Sequence, residues 1–280
     1  MIQLNKNTVD KLNVVKYVSL LRIKFIAGLQ YRAAAAAGIT TQFAWGILSI
    51  LLYKAFYEAD PRAFPMSFQA LSSYLWLQQA FLALFMGWFF ENDIFQSITE
   101  GGIAYELCRP TDLYYMWFFR TMASRLAKAV LRCMPILIFA AFLPEPYGIR
   151  LPESLRAGIW FLITSVFGFL VVVAYSMLVY ISTFFTYSPM GVRMVSVSLV
   201  DFFAGAVVPI PFLPERVRTV VELLPFASMQ NIPLRIYSGD IAGAQIIYRA
   251  ALQLFWIVVL MWFGKRLMGY ALKRVVIQGG

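Results

Sequence analysis

Arg120, Lys128 and Arg132 recur at multiples of four residues, and Asp201 sits inside the apolar run VSVSLVDFFAGAVV. Cations four residues apart share one face of a helix. Arg125, seven residues before Arg132, falls on a neighbouring part of that face. A face of this kind makes and breaks no bonds by itself. It either lines a basic inner vestibule for an anionic or amphipathic substrate, with Arg125 and Arg132 as its contacts, or sends long side chains out to lipid headgroups. A carboxylate such as Asp201 costs at least ~2.5 kcal/mol at the centre of a bilayer, so it must face protein or water. It reads as a polar contact in a transport path or as a hydrogen-bonded structural group near Ser198.

Catalytic chemistry finds little support. The chain has no histidine, which removes imidazole proton relays, His-based metal sites and His-dependent nucleophiles. No GxxxxGK[ST] loop occurs, so this chain does not hydrolyse ATP by that route. Cys108 and Cys133 are the two cysteines and build no disulfide framework. No catalytic, metal or cofactor residues are therefore assigned.

The elements that must carry these charges are membrane helices. Apolar residues make up 61% of the 280 and charged residues 14%, against about 45–50% and 25% in soluble domains. We expect an all-α polytopic membrane protein, one transmembrane domain over 1–280, with six spans. They lie near Ala36–Tyr57, Ala70–Phe90, Ala123–Leu143, Ala157–Phe185, Met194–Ile210 and Arg249–Met268. With both termini in the cytosol, sixteen of the 24 Lys and Arg fall on the inner side, as the positive-inside rule requires. The net charge of +10 then belongs to flanks meeting anionic lipid, not to nucleic-acid binding.

Three segments between the spans stand out. Residues 9–29 form an amphipathic helix with Val14, Val18, Leu21 and Phe25 on one face, suited to the cytosolic headgroup layer. The loop 91–113 contains SITEGGIAYELCRPTD, in which Gly101 and Gly102 permit a sharp turn. A short helix follows whose Ile103, Leu107 and Tyr105 form an apolar edge for docking in a groove. Five of the thirteen prolines, Pro209, Pro211, Pro214, Pro225 and Pro233, fall between 209 and 233. Proline stops a helix, and bare backbone cannot face lipid. The fifth span therefore ends early, and 209–239 folds back as a re-entrant helical hairpin.

The pattern EGGIAYELCRPTD after a second span is similar to the coupling-helix region of type-2 ABC exporter permeases, in particular a compact six-span bacterial subgroup. LQYRAAAAAG resembles that subgroup's approach to span one. GAVVPIPFLPERVRTVVELLPFASMQNIPLRIYSG resembles its broken fifth span, and YALKRVVIQGG its basic tail. The resemblance implies a permease subunit in the bacterial cytoplasmic membrane, paired with a second permease chain and two copies of a cytosolic ABC ATPase. That partner would bind the ATP and Mg. Gly101, Gly102, Ile103, Tyr105, Glu106, Leu107 and Arg109 would couple ATPase closure to the spans, and the proline hairpin would close the outer end of the path.

Three rival readings remain open at this point. An ion-driven secondary transporter needs intramembrane carboxylates or repeated halves; Asp201 is one candidate and no internal repeat is visible. A membrane-embedded enzyme needs clustered acids or a nucleophile with a base. A non-transport assembly factor needs neither. Lipids, peptides, antibiotics and drugs all fit the family resemblance as substrates.

Overall fold

The computed structural model describes the backbone of residues 6–186 and 188–274, and side chains from Val15 onward. Val14 of the expected amphipathic face and the end of the tail motif, 275–280, lie outside those limits. Among the described residues every element is helical. Helices α1 (Lys6–Gly28) and α2 (Arg32–Ala59) are followed by α3 (Phe68–Ala80), α4 (Leu82–Phe85), α5 (Asn92–Thr99) and α6 (Ile103–Leu107). Then come α7 (Leu113–Phe142), α8 (Leu155–Ser182), α9 (Pro189–Phe203), α10 (Glu215–Val221), α11 (Asn231–Tyr237) and α12 (Ala244–Leu272). Three helical stretches are long and apolar enough to cross a membrane: Arg32–Ala59, Leu155–Phe185 and Ala244–Leu272.

Helix starts follow local chemistry. Ser67, Asp112, Ser154 and Ser188 each accept a hydrogen bond from a backbone N–H of the first turn, at 3.2–3.4 Å. Each satisfies a donor that the helix itself leaves unpaired.

The expected second, third and fifth spans differ from what is observed. The run Ala70–Phe90 is split, because α3 stops at Phe81, α4 makes one turn, and the chain from Met86 is irregular. Gly87 allows this, since a Cβ there would stand 2.9 Å from the Val200 side chain. Helix α7 begins ten residues before the expected Ala123, capped by Asp112. Helix α9 runs Pro189–Phe203 and ends at a turn on Gly205, φ +77°. The end expected at Ile210 therefore lies seven residues too late; glycine, not proline, stops this helix. At 1.5 Å per residue α9 spans only about 22 Å.

Helix α1 runs beside the first half of α7. Tyr17 stacks on Phe119 at 5.4 Å and 13°, its hydroxyl accepts from the Asp112 N–H at 3.0 Å, and Gly28 abuts Ala127. Tyr17, Leu20 and Gly28 are half-buried, as are Leu21 and Phe25 of the expected face, while Val18 of that face is 54% exposed. Ring stacking and a glycine contact fix the side of α1 that meets α7.

Beyond α9 the chain folds as two short helices, α10 and α11, of which α11 packs against α8 and α3. All of Asn231–Ile236 is buried. The irregular backbone here is served by side chains. Gln78 donates to the carbonyls of Gly205 and Ala206, Gln230 to Ala204, Gln253 to Thr164 and Ser228, and Trp256 to Leu223. Apart from that of Thr164, which lies within α8, these carbonyls stand where no regular helix serves them, and such groups must find donors when water is excluded. Pro209, Pro211 and Pro233 are buried, Pro225 is half-buried and Pro214 exposed. Pro233 sits in the first turn of α11, where no backbone donor is needed.

Gly168 on α8 admits this returning chain: a Cβ there would stand 2.0 Å from the Met229 carbonyl oxygen. Gly168→Val is expected to lower stability by about 1–3 kcal/mol, the usual cost of overpacking. The unfolding midpoint of the purified protein measures it, and an unchanged midpoint would mean that the backbone at Met229 moves aside freely.

Candidate functional site

Four charged positions on α7 have four different fates. Arg120 pairs with Asp93 and, at 3.7 Å, with Glu106. Lys128 pairs with Glu91 at 3.7 Å. Asp93 and Glu91 thus tie the segment after α4 to α7. Arg125 is 1% exposed; its guanidinium donates to the carbonyls of Met86 (2.9 Å) and Leu84 (3.2 Å) and to the Ser176 hydroxyl (3.3 Å). Those carbonyls belong to the end of α4, where the helix supplies no donors. Arg125 is therefore a buried crosspiece holding the broken second segment to α7 and α8, and it lines neither of the two polar cavities described below. This corrects its expected place in a vestibule.

Arg132 differs. Its guanidinium lies over the Phe89 ring at 5.7 Å and reaches the Ala34 carbonyl at 3.5 Å. Among the described residues no carboxylate lies within ion-pair distance of it. Gly38 makes room for it, since a Cβ there would stand 2.5 Å from the guanidinium carbon.

A cavity of about 660 Å³ lies between α2, α3 and the end of α9, and it contains both Arg132 and Asp201. Gln42, Gln78 and Gln79 supply polar wall, and Trp45, Trp88 and Phe89 supply aromatic wall. Asp201 Oδ1 has no hydrogen-bond partner, and the Ser198 hydroxyl instead donates to the Met194 carbonyl. A second cavity, of about 380 Å³, lies where α1 turns into α2 and is lined by Lys24, Tyr31, Glu91, Asp93 and Lys128. Arg132 lines both. Reasoning from sequence missed the three glutamines; their signal was polar amides inside the apolar runs TTQFAWG and WLQQAF.

The loop expected to dock with a partner is also well defined. Gly101 adopts φ +79° and makes the sharp turn before α6. Ile103 is 3% exposed and belongs to the main core, so it does not share the outer edge with Leu107 and Tyr105. Tyr105 is 81% exposed and Leu107 39%, and Arg109 is exposed. Glu106 turns inward, accepting from Trp117 Nε1 at 2.6 Å and pairing with Arg120. Trp76 and Trp117 are fully buried, each with its indole N–H satisfied.

The family described as ABC-2 family transporter protein matches residues 43–279. The chain belongs to that family. No curated protein matches it. As an ABC-2 protein it is a multi-pass membrane component of a transporter, not itself the catalytic part, in a family whose members generally work with ATPase subunits.

Within this ABC-2 chain the stretch from α10 to α12 carries its own charge cluster. Glu222 at the end of α10 pairs with Arg235 of α11 and Arg249 of α12, and Arg235 also pairs with Asp240. Burial pushes the Glu222 carboxyl up, but the two guanidiniums outweigh burial and hold it below its ordinary value. A lowered folded-state value means that the stabilisation is fully present above the unfolded value and is lost as pH falls through the folded one. The wild-type unfolding midpoint is expected to drop below about pH 4.5. Glu222→Gln should start lower at neutral pH and flatten that limb; an equally steep limb would assign the acid sensitivity elsewhere.

Proposed function

We propose that the chain is the membrane-spanning permease of an ATP-driven ABC exporter in the bacterial cytoplasmic membrane. It has six spans, formed by α2, α3 with α4, α7, α8, α9 and α12, and both termini in the cytosol. The observation that carries this reading is the attachment of α6. Glu106 bolts α6 to α7 through Trp117 and Arg120, while Tyr105 and Leu107 face outward. A short helix held rigidly from behind, with an aromatic and an aliphatic anchor in front, is suited to seat in a partner's groove and pass its movement on. The partner is a cytosolic ABC ATPase, which binds ATP and Mg; this chain binds neither.

Two permease chains form the path. Val15, Val18, Ile23 and Ile26 of α1 are exposed and meet membrane lipid at the cytosolic face. The cavity holding Arg132 and Asp201 is the substrate path, the smaller cavity its cytosolic mouth, and the α10–α11 hairpin, re-entrant from the outer face, closes its far end. ATP hydrolysis yields net export only if the cavity binds substrate differently in its inward and outward states.

Gentle purification of the tagged chain from its native host tests the partnership. An ATPase with Walker motifs at near one-to-one stoichiometry is expected, and a second permease in the sample would make the pair heterologous. Recovery of the chain alone in several detergents would overturn the reading.

A further inference from the structure

Gln42 is 3% exposed, it lines the larger cavity, and neither its amide oxygen nor its amide nitrogen has a hydrogen-bond partner. An amide buried without partners costs several kcal/mol in apolar surroundings. The Gln79 amide oxygen and Asp201 Oδ1, in the same cavity, are also unpartnered. Arg132 brings a cation with no carboxylate in ion-pair range among the described residues. One cavity thus holds an unpaired cation, an unpaired carboxylate oxygen and an amide offering both a donor and an acceptor.

Both charges line this cavity, and among the described residues they form no ion pair with each other. An unpaired charge at membrane depth is expensive and marks a path or a ligand. Trp45, Leu52, Leu75, Leu82, Met86 and Trp88 supply apolar and aromatic wall, beside the polar Thr41, Ser49 and Gln78. Ligand cavities of a few hundred Å³ follow this plan, with apolar walls and a few convergent polar groups that fix orientation. Arg132 also lines the smaller cavity at the α1–α2 corner, together with Lys24, Lys128, Glu91 and Asp93.

We propose that this cavity binds a zwitterionic amphiphile: a molecule with an anionic group for Arg132, a cationic or donor group for Asp201, a hydrogen-bonding region for Gln42 and Gln79, and an apolar body against the tryptophans. A phospholipid with an amino headgroup has this chemistry. The proposal rests on the cavity being the substrate path of the permease and names the class of molecule it takes. Arg132 supplies attraction common to all anionic amphiphiles, and Asp201 selects those that also carry a positive group. Gly38 keeps the Arg132 guanidinium in position, because any side chain there would displace it.

Native mass spectrometry of the purified chain tests this with lipids of identical acyl chains. The probes are phosphatidylethanolamine (zwitterionic), phosphatidylglycerol (anionic) and diacylglycerol (uncharged). The first should bind at least about tenfold more tightly than the last, as expected for charge-assisted hydrogen bonds. Arg132→Gln should lower binding of both phospholipids about tenfold, Asp201→Asn should weaken phosphatidylethanolamine alone, and Gln42→Leu should weaken both. Arg132→Lys should retain binding of phosphatidylglycerol, which separates lost charge from a lost fold if Arg132→Gln proves unstable. Equal binding of all three lipids, or unchanged selectivity in folded Arg132→Gln and Asp201→Asn, overturns the proposal. Displacement of phosphatidylethanolamine by glycerophosphoethanolamine alone would assign the site to a water-soluble zwitterion and would equally overturn it. The assay contains no ATPase. Failure to find that partner therefore leaves lipid selectivity standing, and loss of selectivity leaves the coupling reading standing.

Discussion

Arg125→Met is expected to remove the folded, monodisperse protein, whereas Arg132→Gln, two helical turns away, should leave folding intact and abolish transport. The guanidinium of Arg125 supplies the donors for the Leu84 and Met86 carbonyls. A buried acceptor left without its donor costs about 1–3 kcal/mol. Two such losses, plus the void left by a long side chain, amount to a large share of the about 5–15 kcal/mol by which a domain is stable. Removing the guanidinium also removes the expense of burying a charge, which offsets part of this. The offset is incomplete, because methionine cannot satisfy either carbonyl. Lysine keeps a charge but not the planar fork, so Arg125→Lys should fall between the two. Size-exclusion profile and unfolding midpoint measure the series. A wild-type midpoint in Arg125→Met would mean that water or repacking serves those carbonyls, and Arg125 would return to the list of path residues.

The contrast between these arginines explains how much of the site could be read in advance. Arg132 and Asp201 were visible as charges within apolar runs, and the fold brings them to one cavity. Arg125 looked equivalent to Arg132, because helical spacing records the face of its own helix and not what packs against it. Its role depends on the end of α4, about forty residues earlier in the chain, and that break was itself hidden. The run ALSSYLWLQQAFLALFMGWFF stays apolar across the site where α3 stops, so hydropathy reads it as one span. Helix α8 was easy by comparison: a continuous apolar run opens at the Ser154 cap and nothing interrupts it. The end of α9 was half legible. The prolines announced a break, but Gly205 in a left-handed conformation makes it several residues sooner. The glutamines of the cavity carried no charge to single them out, and Gln42 becomes informative only once its surroundings prove to hold no partner for it.

Charge placed on neighbouring residues of α6 is expected to divide cleanly between loss of fold and loss of coupling. Ile103 lies in the main core with Phe95, Trp117 and Tyr180. Ile103→Glu would bury a carboxylate among them, and an unpaired buried charge is not tolerated in such a site, so the protein should fail to accumulate. Leu107 and Tyr105 are exposed and bear no load in the free chain. Leu107→Glu and Tyr105→Ala should keep the wild-type midpoint while weakening ATPase binding, Tyr105→Ala by about thirtyfold if the tyrosine is a central anchor worth about 2 kcal/mol. Glu106→Gln tests the lever separately. The amide oxygen can still accept from Trp117, but the ion pair with Arg120 is gone. Docking should survive, and the ATP hydrolysed per substrate moved should rise. Three measurements on the reconstituted pair decide the matter: affinity for the ATPase, hydrolysis rate and transport rate. Full affinity in both Leu107→Glu and Tyr105→Ala would move the docking surface away from α6. Normal transport in Glu106→Gln would mean that movement reaches α7 by another contact, and the clamp of Tyr17 and the Asp112 N–H between α1 and α7 would be the next one to break.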